Sequence, residues 1–132
     1  MSVRPSWPGP KPQATRSDAA WPEMLLIIDA PEALALIASL PPDMPRRPAV
    51  VLTRYAMLDA ELLRRIKPDC ILLPLLRPGF DIAQALQRLA RLGYRGKVRV
   101  LGKTLPDRAM VEAELRAFAP DLHVHLIEIP AP

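Results

Sequence analysis

From Met24 onward, short apolar runs alternate with amphipathic stretches, and this alternation restricts the fold more than any other feature of the 132-residue chain. The runs are Met24–Asp29, Ala49–Thr53, Asp69–Leu75, Val98–Leu101 and Leu122–Ile129. They are nearly continuous in Leu, Ile and Val instead of switching between apolar and polar. Strands of that kind have both sheet faces covered, as in parallel sheets joined by helical crossovers. Right-handed crossovers and double winding then give the strand order 2-1-3-4-5. The expected class is α/β, a doubly wound parallel five-stranded sheet with four helices and no fifth helix after the last strand.

The stretches between the runs carry helical punctuation. Helix one is expected over Pro31–Leu40, with Pro31 suited to a first turn. A proline-broken loop, Pro41–Pro48, leads to strand two. Helix two is expected over Leu58–Lys67, with Leu58, Leu62 and Ile66 spaced to line one face. Helix three runs from Asp81, an N-cap residue, to Leu92, with Gly93 as a stop and Ile82, Ala85, Leu86 and Leu89 as its stripe. Helix four is expected over Asp107–Ala119, with Met110, Val111, Leu115 and Phe118 facing inward.

Residues 1–22 are of a different composition. Pro5, Pro8, Pro10, Pro12 and Pro22 are interspersed with Gly, Ser, Lys and Arg. Such a segment buries too little apolar surface to offset its ordering entropy, so a disordered or polyproline-type tail is expected before a domain of residues 23–132. Trp7 and Trp21 are its apolar features. One reading makes them anchors for a partner; the other packs Trp21 on the domain edge and leaves Trp7 free.

Composition excludes more than it identifies. The net charge is +4, from 18 Lys and Arg against 14 Asp and Glu, a weak pointer to acidic partners. The one cysteine, Cys70, lies in an apolar run, so no intrachain disulfide exists and a small buried hydrophobe is expected. The first 23 residues contain no apolar signal core, and no apolar stretch approaches the ~20 residues that span a bilayer. A soluble, cytoplasmic chain without membrane partners is the expectation. Arg64, Arg65 and Lys67 form a basic cluster on helix two. No helix-turn-helix, zinc finger or base-stacking pattern accompanies it, so no nucleic-acid partner is expected.

The segment Pro68-Asp69-Cys70-Ile71-Leu72-Leu73-Pro74-Leu75-Leu76-Arg77-Pro78-Gly79-Phe80-Asp81 resembles the third strand and following turn of response-regulator receiver domains. The family pattern is Pro-Asp, an apolar run, the phosphoacceptor Asp, three residues, then Pro-Gly, an apolar residue and Asp. Every landmark falls in register except the acceptor, where Pro74 stands. The coarse resemblance covers residues 24–130 and implies a flavodoxin-like, receiver-like frame. Its other active-site positions also depart from the family. Of the acid pair after strand one only Asp29 remains, followed by Ala30. Gly102 stands where a Thr or Ser would end strand four. The strand-five Lys has no counterpart. Aspartyl phosphorylation needs nucleophile, metal and charge stabilisation together, so the resemblance implies a degenerate receiver with no catalytic residues, metal or cofactor. It would act through a protein partner or as a homodimer, in a bacterial signalling setting.

Three further groups bear on function. Arg54, Arg77 and Lys103 follow strands two, three and four; they either converge on an anion at the switch point or are solvated loop charges. His123 and His125 share a strand face, yet two ligands do not make a closed metal site. No Gly-x-Ser-x-Gly elbow exists. Helix four with strand five, including Arg108, Glu112, Arg116 and His125, is an expected interaction surface, together with any sheet face left uncovered.

Overall fold

The computed structural model of the protein describes residues 23–39, 48–103 and 105–129. The tail of residues 1–22 and most of the loop before strand two lie outside them. Five parallel strands form one sheet: β1 (Met24–Ile28), β2 (Ala49–Thr53), β3 (Cys70–Pro74), β4 (Lys97–Lys103) and β5 (His123–Ile129). Their order is β2-β1-β3-β4-β5, the doubly wound, flavodoxin-like arrangement that the alternation predicts. Four α-helices connect them: α1 (Ala33–Ala38), α2 (Ala60–Ile66), α3 (Ile82–Arg91) and α4 (Arg108–Phe118). A 3-10 turn, Tyr55–Met57, precedes α2. No described helix is long and apolar enough to cross a membrane.

Aspartates set where three helices begin. Asp59 accepts the Leu62 N–H, Asp81 those of Ala83 and Gln84, and Asp107 that of Met110. Each bond satisfies donors that the first helical turn leaves without a partner. The α3 C-terminus closes as a Schellman motif. Gly93 takes a φ of 91°, its N–H donates to Ala90 O, and the Tyr94 N–H donates to Leu89 O.

Side chains alternate across the strands, so each strand feeds two cores. One face carries Leu26, Ile28, Ile71, Leu73, Val98, Val100, Val124 and Leu126 under α2, α3 and α4. The other carries Leu25, Ile27, Cys70, Leu72, Leu101 and Ile127, with Ala33, Leu36 and Ile37 of α1 packed on it. The β1 side chains from Leu25 to Ile28 and those of β3 are almost entirely inaccessible. Each large one removed from water contributes roughly 1.5–3 kcal/mol.

Two of the helix faces read from the sequence are corrected. On α4, Val111, Leu115 and Ala119 pack inward while Met110 and Phe118 are exposed. The inward stripe therefore follows i, i+4, i+8 spacing, and the larger apolar residues fall off it. On α2, Leu63 and Ile66 pack on the core, joined by Leu58 from the segment before the helix. The elements also differ in extent. The helix expected from Leu58 begins at Ala60, after a separate 3-10 turn over Tyr55–Met57, and β4 extends from Lys97 to Lys103.

The turn after β3 has a defined geometry. The Phe80 N–H donates to Arg77 O at 3.0 Å across Pro78-Gly79, and Gly79 has a φ of 76°. These are the features of a type II turn, with proline first and a left-handed residue second. Gly79→Ala is expected to cost about 1–2 kcal/mol, because Cβ strains the left-handed backbone even where space is open. Urea unfolding with an unchanged m-value checks this.

Candidate functional site

The carboxyl rim of a doubly wound sheet is where its strands deliver side chains to a ligand. Here that rim is largely satisfied internally. Pro74 ends β3, buried and level with Leu101 of β4. The next residue, Leu75, donates its N–H to Leu101 O at 2.7 Å and turns its side chain over Gly102. A Cβ on Gly102 would lie 2.9 Å from Leu75 Cδ2 and 3.4 Å from Leu75 Cβ. A side chain at position 102 would therefore displace Leu75, whose side chain fills the space above the glycine. Leu75, which follows Pro74, thus makes an apolar contact with Gly102 between β3 and β4.

Asp29 follows β1 in the left-handed region, with a φ of 52°. Its N–H donates to Thr53 O, and its carboxylate accepts the Tyr55 N–H at 3.0 Å. Aspartate tolerates this conformation better than most residues because its short side chain bonds nearby backbone. Asp29 thereby holds the 3-10 turn against the end of β1. Ala30, the next residue, is buried in the α1-side core. Tyr55 meets Phe80 edge to face, with centroids 5.4 Å apart, and the Arg88 guanidinium lies 5.5 Å from the Tyr55 centroid. The loops after β2 and β3 are thus joined by aromatic packing. The carboxylate of Glu128, in β5, accepts the Leu105 N–H.

The three candidate anion ligands are placed differently from one another. Arg77 is half-buried and donates from Nη2 to Glu32 Oε1 at 2.7 Å, tying the β3–α3 turn to the start of α1. Its Nε is buried without a hydrogen-bond partner. Arg54 and Lys103 are exposed. Exposed beside them on the loops are two large apolar side chains, Met57 at 63 % and Leu76 at 85 % of their maximal accessibility.

The surface expected on α4 and β5 is engaged within the chain. β5 is an edge strand, and its outward backbone groups meet side chains of α4. Arg108 Nη2 donates to Leu126 O at 2.6 Å, Glu112 Oε2 accepts the Leu126 N–H at 2.8 Å, and Arg116 Nε donates to Val124 O at 3.0 Å. Residues at i, i+4 and i+8 line one helix face, so this spacing matches the two-residue repeat of outward groups on the strand. The three side chains occupy the hydrogen-bonding positions that another strand would need. Arg-x3-Glu-x3-Arg before a final apolar run is the sequence signal for this arrangement.

His125 joins the same cluster. Its Nδ1 lies 3.5 Å from Arg116 Nη2 and 3.9 Å from Glu112 Oε2. Partial burial holds its pKa below the usual 6.5, and Arg99, Arg116 and His123 act in the same sense against Glu112. The neutral ring is favoured in the folded chain, whereas the unfolded chain protonates near 6.5. Stability is therefore expected to fall as pH drops through 6.5 toward the folded value, then to level off. Thermal melts of wild type and His125→Gln between pH 8 and pH 5 check this; the substitution should flatten that part of the profile. His123 is exposed, and among the described residues no group of three or more His, Cys, Asp or Glu side chains is placed to hold a metal.

Sequence reasoning missed Arg99. It interrupts Val98-Arg99-Val100 in the middle of β4 and is 5 % exposed, the one buried charged side chain among the described residues. Its Nε and Nη1 have no hydrogen-bond partner. No protein-family model and no curated protein matches this sequence.

Proposed function

We propose that the chain is a non-phosphorylatable, receiver-like protein-interaction module, with no enzymatic activity of its own, in a signalling or regulatory role in a bacterial cytoplasm. The observation that carries this reading is the packing of Leu75 over Gly102, directly after Pro74 at the end of β3. A phosphoryl group needs a nucleophile, a cation and donors around its oxygens. At the corresponding place stand a ring without a donor, a leucine side chain and a glycine. Asp29 contributes its carboxylate to a backbone N–H. The exposed Met57 and Leu76 suit the rim to contact with another protein.

Incubation with acetyl phosphate is expected to leave the intact mass unchanged. A gain of one phosphoryl unit on an acid-labile bond would overturn the reading. Leu76→Asp changes a side chain that contributes little to the core. It is expected to leave the melting temperature unchanged while abolishing binding of the physiological partner recovered from the native organism. Retained binding removes the rim as the contact surface.

A small-anion or nucleotide site at Arg54, Arg77 and Lys103 is the second reading, favoured by the unpartnered Nε of Arg77. Against it, Arg77 already faces Glu32. Thermal-shift screening with phosphate-bearing metabolites separates the two readings, since a ligand at 100 times its Kd adds about 2.7 kcal/mol.

A further inference from the structure

The two edges of the sheet are built differently. At β5, Arg108, Glu112 and Arg116 take up the outward backbone groups. β2 is the opposite edge, and among the described residues no strand lies beyond it.

The bonds to β1 fix which way each β2 residue faces. Ala49 N–H donates to Glu23 O, and Thr53 O accepts the Asp29 N–H. In a parallel pair the backbone groups of successive residues point to opposite edges, so Ala49, Val51 and Thr53 face β1. Val50 and Leu52 turn their N–H and C=O groups outward.

β2 also lacks the features that usually guard an edge. Its sequence, Ala-Val-Val-Leu-Thr, contains no charge and no proline. It is as long as β1 and β3. Every β3 residue is buried, whereas no β2 residue is. Val50 packs on the α1-side core and Val51 on the other. Leu52 shares the side of Val50 and is 50 % exposed.

The outward groups are self-complementary. A two-fold axis at Val51 lays a second copy antiparallel along the edge. Val50 then meets Leu52 of the second copy, and Leu52 meets the second copy's Val50. Each of these pairs exchanges both of its N–H···O=C bonds. Together they use every outward group of both strands. The same operation sets Val51 against Val51 and Ala49 against Thr53, so the cross-strand contacts are apolar and cover Leu52. Arg54 falls opposite Pro48, and no like charges stand directly across from each other. Head-to-tail joining of β2 to β5 finds the β5 groups already occupied, so growth stops at two copies.

We propose that the chain forms a two-fold dimer in which two β2 edges pair antiparallel about Val51. The joined sheet has ten strands, twice the five of one copy, a width that open α/β sheets reach. This interface lies at the sheet edge and does not depend on the functional reading of the rim.

Sedimentation of the wild-type chain is expected to give twice the mass of one chain. Leu52→Lys changes a half-exposed side chain and acts twice across the axis, so the dimer Kd should rise about tenfold or more. Met110→Lys, on the exposed face of α4, should leave the Kd unchanged. Circular dichroism identical to wild type establishes that the variants are folded. Introduced cysteines read the register, because Cys70 is buried. Residues in a non-hydrogen-bonded antiparallel pair have Cα atoms about 4.5 Å apart, within disulfide reach. Val51→Cys should therefore give an intermolecular disulfide on mild oxidation. Thr53→Cys should not, because its two copies lie about 14 Å apart along the strands. The proposal is overturned if the wild-type chain sediments as a monomer at about 100 μM, where a micromolar dimer persists. It is equally overturned if Leu52→Lys dimerises as tightly as wild type, if Met110→Lys weakens the dimer as much, or if Thr53→Cys cross-links as readily as Val51→Cys.

Discussion

Pro74→Asp is expected to destabilise the protein by roughly 2–5 kcal/mol and to gain no phosphoryl group from acetyl phosphate. The position is buried at the end of β3, between Leu73 and Leu75 and level with Leu101. A carboxylate placed there leaves water for an apolar surrounding. Arg77, the nearest cation in sequence, is already paired with Glu32. The new acid should therefore have a raised pKa and favour its protonated form. The sign of the pH dependence follows. The folded state of the variant binds a proton that the unfolded state releases above about pH 4, so the deficit grows as pH rises from 4 toward neutrality. Urea unfolding of wild type and Pro74→Asp at pH 4.5 and pH 7.5 measures the deficit at both ends. A variant as stable as wild type at pH 7.5, or one that gains mass with acetyl phosphate, would show that the seat accepts charge.

The alternation of runs made the sheet order legible because parallel strands buried on both faces leave a continuous apolar signature. The aspartate caps at positions 59, 81 and 107 were legible in kind, since a short acceptor before an apolar-periodic stretch has few other uses. The end of an apolar run placed Pro74 at the rim, and the resemblance to receiver domains singled out Asp29, Ala30 and Gly102 beside it. What spacing could not give was the content of the rim. That Leu75 rests on Gly102, or that Asp29 caps the turn at Tyr55, depends on side-chain directions after a strand ends, where no period applies. The α4–β5 lock escaped for a related reason. Arg108, Glu112 and Arg116 read as a surface for a partner, and only the adjoining strand edge shows that face engaged in three backbone contacts within the chain. Met110 and Phe118 misled in the opposite direction, because apolar character says nothing about which helical residues lie on the packed stripe.

Gly102→Thr is expected to cost about 1–3 kcal/mol alone, and Leu75→Ala about 2–4 kcal/mol, with the double substitution costing less than the two together. Threonine would bring Cβ to within 2.9 Å of Leu75 Cδ2, a separation that a packed leucine can relieve only by shifting. Leu75 is 9 % exposed and part of the larger core, so it has little room to move. Truncating it to alanine opens space beside position 102 and loses apolar burial. With both changes, the threonine side chain enters the space the leucine leaves, and part of each penalty cancels. The coupling should reach about 1 kcal/mol or more, well above the ~0.5 kcal/mol scatter of independent sites. Additive effects would mean that Leu75 and Gly102 do not share one space. The double variant also tests the proposed absence of phosphoryl transfer. It places a hydroxyl at position 102 and removes the leucine while leaving Pro74 in place, so under that proposal acetyl phosphate should add nothing to its mass. A gain of one phosphoryl unit would overturn the proposal even with Pro74 present.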